Sequence, residues 1–124
     1  MLSEKYRLFW IALAVVYMGA ILLMAGQSIT LSESKRADRL ISNLLHIPAF
    51  TILILILIPA IWSNRRHWFK TIVAAGAIAF VFGVGIELYQ ITVPLRSPSI
   101  IDIALNSAGI FIGVLFFYLG VNYT

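Results

Sequence analysis

The chain has 124 residues, of which 61% are hydrophobic and 11% are charged, and its formal net charge is +4. A soluble domain averages about 45–50% apolar and about 25% charged residues, and a chain this small cannot bury such an excess of apolar surface inside itself. The composition therefore excludes an ordinary soluble domain and predicts a single membrane domain over residues 1–124.

Several kinds of site are excluded by the residue types that the sequence lacks. There is no cysteine, so neither a disulfide framework nor a thiolate metal site is expected. His46 and His67 are too far apart for an H-x-x-x-H pair, and the sequence has no glycine-rich phosphate loop or G-x-S-x-G motif. The basic residues are too dispersed for a nucleic-acid-binding stripe. We therefore predict no metal ion, no cofactor and no nucleic-acid partner, and the positive charge suits anionic lipid heads.

The first predicted span covers residues 8–25, which contain no charged residue and approach the roughly twenty residues needed to cross the hydrocarbon. A cleaved signal peptide is the alternative, because basic residues precede the apolar stretch. The stretch is long for that role, so we predict a membrane anchor. The polar segment 26–42 follows, in which Ser32 and Ser34 are candidate caps of a short interfacial helix.

The second predicted span covers residues 43–62 and has a polar entrance before a dense apolar middle. We place Pro48 in the first turn of this helix, where its missing N–H is best tolerated, and expect Pro59 to kink or end it. Residues 63–70 then form a short basic turn flanked by tryptophans, which is typical of the membrane interface.

Two further spans are predicted over residues 71–93 and 100–121, separated by a break at Pro94 and Pro98. Both contain small residues, which allow membrane helices to approach each other closely; they include Gly83, Gly85, Gly109 and Gly113. The sequence thus predicts an all-α fold, an integral membrane four-helix bundle.

Four spans place both termini on one side of the membrane. The basic residues then divide five against four, with Lys5, Arg7, Arg65, Arg66 and Lys70 on the side of the termini and Lys35, Arg36, Arg39 and Arg96 opposite. Because the cytoplasmic side carries the excess of basic residues, we predict a multi-pass protein of the cell membrane with both termini cytoplasmic.

In this topology the polar residues of the spans gather toward the outer side. Glu87 and Gln90 are three residues apart and share a helix face, while Asp102 and Asn106 are four apart on the next helix. We predict that they line a polar pocket open to the outer side. Its predicted ligand-binding residues are His46, Glu87, Gln90, Arg96, Asp102 and Asn106.

Each of these residues also has a purely structural interpretation. The segment from Ser99 to Asp102 fits a capping box, in which the acid only closes the helix N-terminus. Arg96 can extend to lipid phosphates, and Glu87 can pair with Arg96 or His46. The two amides can serve as hydrogen bonds between helices. The sequence leaves these alternatives open.

The second half of the chain contains the pattern E-x-x-Q-x-x-x-P-x-R-x-x-S-x-x-D-x-x-x-N-x-x-G-x-x-x-G, here Glu87, Gln90, Pro94, Arg96, Ser99, Asp102, Asn106, Gly109 and Gly113. This pattern resembles the VanZ-like family. The resemblance covers about residues 8–121 and is specific only across the second half. The segment N-L-L-H-I-P-A-F, which contains His46, is similar to the family's entry into its second helix. The sequence departs from many members at Ser42 and Phe50, where they carry an acid and a tyrosine; Asp38 lies one turn before Ser42.

This resemblance implies a bacterial envelope protein linked to resistance to teicoplanin, a lipoglycopeptide that acts at the outer membrane face. We favour a non-enzymatic protein that binds a lipid head group or a lipid-anchored ligand, because no nucleophile motif is present. Its expected partners are membrane lipids, lipid-linked envelope precursors or the lipoglycopeptide itself, and a homo-oligomer is left open.

The alternative is a small membrane enzyme acting on a lipid-linked phosphate substrate. Arg96 would then hold the phosphate, and the catalytic candidates would be His46, Glu87 and Asp102. A transporter is the least favoured function, because the chain has no evident inverted repeat and its polar residues stop halfway across. A packing module for a larger complex is the purely structural alternative.

Overall fold

The computed structural model describes residues 3–26, 35–62, 65–94 and 99–123, with only the backbone described at 35–39, 65 and 123. Over these residues the chain forms four α-helices: α1 Glu4–Ala25, α2 Lys35–Ile61, α3 Trp68–Gln90 and α4 Ile100–Tyr123. A 3-10 turn, Arg65–His67, joins α2 to α3. All four helices are long and apolar enough to cross a membrane, which confirms the predicted all-α, four-helix membrane architecture.

The second helix begins at Lys35 rather than at residue 43, because residues 35–42 belong to the same helix as the apolar stretch. The predicted caps Ser32 and Ser34 lie outside the described residues. The apolar span within it is Leu40–Ile61. Pro48 therefore lies in the helix interior, and its predicted place in the first turn is wrong. Membrane helices tolerate an interior proline where neighbouring groups satisfy the freed backbone. Pro59 lies two residues before the helix end, as expected.

Helix α2 is the centre of the bundle, since α1, α3 and α4 all pack against it. Its apolar face supplies most of the buried core, including Phe50, Leu53, Ile54, Leu57 and Ile58. The other helices turn much of their apolar surface outward, as a protein surrounded by lipid requires.

The most extensive helix packing is between α2 and α4, and two glycines allow these helices to come close together. A Cβ atom added at Gly109 would collide with the carbonyl oxygen of Ile47, and one added at Gly113 would collide with the side chain of Ile54. The Thr51 hydroxyl lies 2.9 Å from the carbonyl oxygen of Gly109 and 2.8 Å from that of Ile47, so it bridges the two helices. Gly109 and Gly113 therefore allow α2 and α4 to approach each other closely, as predicted.

Helix α1 is part of the bundle, although most of its large apolar side chains are exposed. Ala14 is buried in the shared core, and the Tyr17 hydroxyl donates a 2.8 Å hydrogen bond to the carbonyl oxygen of Ala49 on α2. These contacts attach α1 to α2.

The helices run alternately up and down, which gives the bundle two chemically different ends. One, the aromatic end, contains Trp62 and Trp68, whose rings pack against α4. The other, the polar end, contains the end of α1 at Gly26, the end of α3 at Gln90 and the start of α4. His46, Glu87, Asp102 and Asn106 all lie toward the polar end.

Candidate functional site

A short hydrogen bond between α2 and α4 anchors the candidate site. The His46 Nδ1 atom lies 2.6 Å from the Asn106 Oδ1 atom, and Asn106 is only 1% exposed. An amide oxygen only accepts, so Nδ1 carries the hydrogen and the ring presents Nε2 to its other neighbours. Asn106 therefore fixes both the orientation and the tautomer of His46.

Asp102 faces the other side of the same imidazole ring. Its Oδ1 atom lies 3.9 Å from His46 Nε2, which is longer than a hydrogen bond. Asp102 is 8% exposed, and its Oδ1 atom has no hydrogen-bond partner among the described residues. In a neutral ring with a protonated Nδ1, both facing atoms are acceptors. Two facing acceptor atoms of this kind are complementary to a cation placed between them.

Glu87 caps α4 from the neighbouring helix. Its Oε2 atom accepts a 3.0 Å hydrogen bond from the Ser99 backbone N–H, while the Ser99 hydroxyl accepts one from the Ile101 N–H at 3.2 Å. Ser99 thus caps the helix as the motif predicts. The described side chain of Asp102 makes no hydrogen bond to Ser99, so the capping interpretation of that acid is wrong.

The polar cluster, defined here as His46, Glu87, Asp102 and Asn106, draws on three helices. One potential ligand atom from each of His46, Glu87 and Asp102 lies within 4.8 Å of the others. The sequence predicted that these residues line one pocket, but it did not specify which of their side-chain atoms come within a few ångströms of one another. That convergence depends on the rotation of α2, α3 and α4 about their axes, which sequence spacing within one helix does not specify.

A crevice between α1, α2 and α3 opens beside the polar cluster. Its volume is about 90 Å³, and it is lined by Ile21, Met24, Ala25, Ser42, Leu45, His46, Ala49, Phe50, Ile86 and Gln90. Gln90, which is 2% exposed, thus belongs to the crevice together with His46. Both departures from the family pattern, Ser42 and Phe50, line the crevice, and the Phe50 ring also packs against Phe82 in the core.

Some of the predicted features lie outside the described residues. Arg96 and the lid that it was expected to form fall in the segment 95–98, and the side chain of Asp38 is likewise outside the described part. The structure therefore brings together five of the six predicted ligand-binding residues, at the cluster and its crevice.

A larger cavity lies at the aromatic end, away from the polar cluster. Its volume is about 620 Å³, and it is lined by Trp62, Trp68, Ile72, Phe117, Tyr118, Val121 and Asn122. None of the predicted site residues lines this cavity.

The fold and the cluster together define a multi-pass α-helical membrane protein with a buried polar centre at one end of the bundle. The family model described as VanZ/LLP1 matches residues 9–121. The chain therefore belongs to the VanZ/LLP1 family, and the resemblance inferred from the sequence is confirmed. No curated protein and no solved structure matches the chain.

Proposed function

We propose that this protein binds the head group of a lipid, or of a lipid-anchored ligand, at the polar end of the bundle. The observation that carries the proposal is the position of the crevice, an apolar groove that opens directly beside the polar cluster. An amphiphilic molecule matches this arrangement, because its apolar chain would lie in the groove and its polar head would lie beside the polar cluster.

The cost of the polar residues supports this proposal. Glu87 and Gln90 are 3% and 2% exposed, respectively, on a helix that is apolar enough to span the membrane. Polar and ionisable side chains inside a membrane-spanning helix are costly in free energy, and they mark functional sites. If the side chain at position 90 only filled space between helices, an apolar residue would do so equally well. The polar Gln90 instead lines the crevice.

The size of the crevice indicates which part of a lipid it accepts. An apolar cavity of about 150 Å³ accommodates benzene, so about 90 Å³ accommodates only the part of a chain nearest the head group. The remainder of the chain would lie along the exposed apolar surface of α1, which lines one wall.

We further propose that the polar end faces the outer surface of a bacterial membrane, and that ligand binding there reduces the action of teicoplanin, as the family resemblance implies. Teicoplanin susceptibility should be compared for bacteria expressing the wild type, Glu87→Gln, Arg96→Ala or no protein. Protection by the wild type and its loss in both variants is expected. Equal susceptibility in all strains would refute the resistance role.

Native mass spectrometry tests the binding step itself. The purified wild type should retain phosphatidylglycerol or phosphatidylethanolamine, and Gln90→Ala should reduce the retained fraction severalfold. Asn122→Ala is the matched control, because this amide lies at the aromatic end and donates a hydrogen bond to the Tyr118 carbonyl oxygen within α4. Equal retention by all three proteins would contradict binding at the crevice.

A second candidate function, an enzyme acting on a lipid-linked phosphate substrate, is favoured by one observation. His46 is held by Asn106 through Nδ1 and presents Nε2 toward the carboxylate of Asp102, an arrangement suited to proton transfer. Lipid profiles of a deletion strain complemented with wild type or His46→Ala would test it. An accumulated substrate that only the wild type removes is expected, and identical profiles would count against an enzyme.

A further inference from the structure

We propose that His46, Glu87 and Asp102 form a binding site for one divalent metal ion. The ligands would be one imidazole nitrogen and two carboxylate oxygens, contributed by α2, α3 and α4. This inference goes beyond the proposed function, because the ion would bind whether or not a lipid occupies the crevice.

The spacing of the three ligand atoms fits a site that closes around an ion. They lie within 4.8 Å of one another. Around a tetrahedral Zn²⁺ with bonds of about 2.1 Å, ligand atoms are separated by about 3.4 Å. Small side-chain rotations would therefore bring the three atoms into coordination without any movement of the helices.

The histidine is already oriented as a metal ligand. A metal-binding histidine usually donates its second ring N–H to an oxygen acceptor, which fixes the tautomer. Here Nδ1 donates to Asn106 Oδ1 at 2.6 Å, and the unprotonated Nε2 atom lies 3.9 Å from Asp102 Oδ1. Asn106 would then be a positioning residue for the ion.

Asp102 supplies an independent observation that points to a ligand. It is only 8% exposed, and its buried Oδ1 atom has no hydrogen-bond partner among the described residues. Buried carboxylates are normally paired or bound to a metal, because an isolated ionised group is costly away from water. A divalent ion would balance the charge of Asp102, and Glu87, whose Oε2 atom accepts the Ser99 N–H, would supply the third ligand.

The mixed ligand set indicates the class of metal. Imidazole suits Zn²⁺ and other transition ions, whereas carboxylates also suit Mn²⁺. We therefore expect Zn²⁺ or Mn²⁺ rather than Ca²⁺, which prefers oxygen ligands alone. Three protein ligands would leave a coordination position open to water or to a phosphate oxygen.

Metal titration of the purified, chelator-treated protein in lipid-free detergent tests this proposal. Zn²⁺, Mn²⁺ and the spectroscopic probe Co²⁺ should be titrated separately. The wild type is expected to bind one ion per chain, and Co²⁺ should give the visible absorption of a protein-bound ion. His67→Ala, which alters the exposed histidine at the aromatic end, should bind identically.

Variants of the ligands should lose this binding. Asp102→Asn, Glu87→Gln and His46→Gln should each weaken it more than 100-fold, whereas Asn106→Ala should keep the one-to-one stoichiometry with about 10–100-fold lower affinity. Circular dichroism and gel filtration of each variant should match those of the wild type, which shows that the variant is folded.

Two results would overturn the proposal. One is a wild type that shows no saturable binding of any of the three ions up to about 1 mM, a result that does not depend on the folding of variants. The other is equal affinity in the wild type and Asp102→Asn, which would place the ion elsewhere. Because no lipid is present, failure of the proposed lipid binding would not alter either result.

Discussion

Ser99 donates its backbone N–H to the Oε2 atom of Glu87 at 3.0 Å, which ties the first turn of α4 to the last turn of α3. A carboxylate at a helix N-terminus also interacts favourably with the helix dipole. Because Glu87 takes this position, Asp102 is not used as the cap and turns instead toward His46. The hydrogen bond thus explains how two acids close together in the fold have different neighbours.

Removal of the Glu87 side chain should destabilise the bundle. Glu87→Ala leaves the partly buried Ser99 N–H without this acceptor, which costs at most about 1–3 kcal/mol, the penalty for a fully buried group, whereas Glu87→Gln keeps an accepting oxygen and should cost less. Thermal unfolding in detergent measures the difference, with Glu4→Gln on the exposed start of α1 as the control. Equal stability of Glu87→Ala and the wild type would show that the bond contributes nothing.

The glycines between α2 and α4 should not tolerate a side chain. Gly109→Ala and Gly113→Ala place a methyl group against Ile47 and Ile54, and overpacking of this kind costs about 1–3 kcal/mol. Gly85→Ala is the matched control, because nothing lies within 4 Å of an added Cβ there. The unfolding temperature should fall for the first two variants only. A similar fall for Gly85→Ala would show that alanine destabilises these helices wherever it replaces glycine, and not through the contact between α2 and α4.

The Thr51 hydroxyl should contribute modestly to the same interface. Thr51→Val keeps the shape but removes the bond to the carbonyl oxygen of Gly109, and hydrogen bonds between membrane helices average about 0.6 kcal/mol. The control is Thr92→Val, whose hydroxyl is exposed and bonds locally to Tyr89. Chemical unfolding in mixed micelles measures the loss in the free energy of unfolding. A larger loss for Thr51→Val than for Gly109→Ala would contradict the modest contribution expected of this hydroxyl.

The sequence predicted the number of helices and the residues of the polar end, but not the contacts between them. Long apolar stretches identify the spans because the hydrocarbon requires them. The sequence predicted a separate short helix before residue 43, and its continuity with the second span was missed because hydropathy does not mark a helix that extends beyond the apolar region. The pairing of His46 with Asn106 joins residues 60 positions apart, so it depends on how α2 and α4 pack rather than on any local pattern.

The predicted orientation can be tested by cysteine labelling, because the natural chain has no cysteine. Ser3→Cys and His67→Cys lie at the aromatic end and Thr92→Cys at the polar end, and all three positions are exposed. A membrane-impermeant maleimide added to intact cells should label Thr92→Cys only, since we expect both termini in the cytoplasm. Labelling of Ser3→Cys and His67→Cys instead would reverse the topology and place the crevice on the cytoplasmic side.

The most direct test of a ligand site at the polar end is an experimental structure of the protein in a lipid bilayer. We predict density for a lipid head group beside His46 and Gln90, with its chain entering the crevice between α1, α2 and α3. A crevice filled by the protein's own side chains, with ordered lipids only on the outer faces of the helices, would contradict the account.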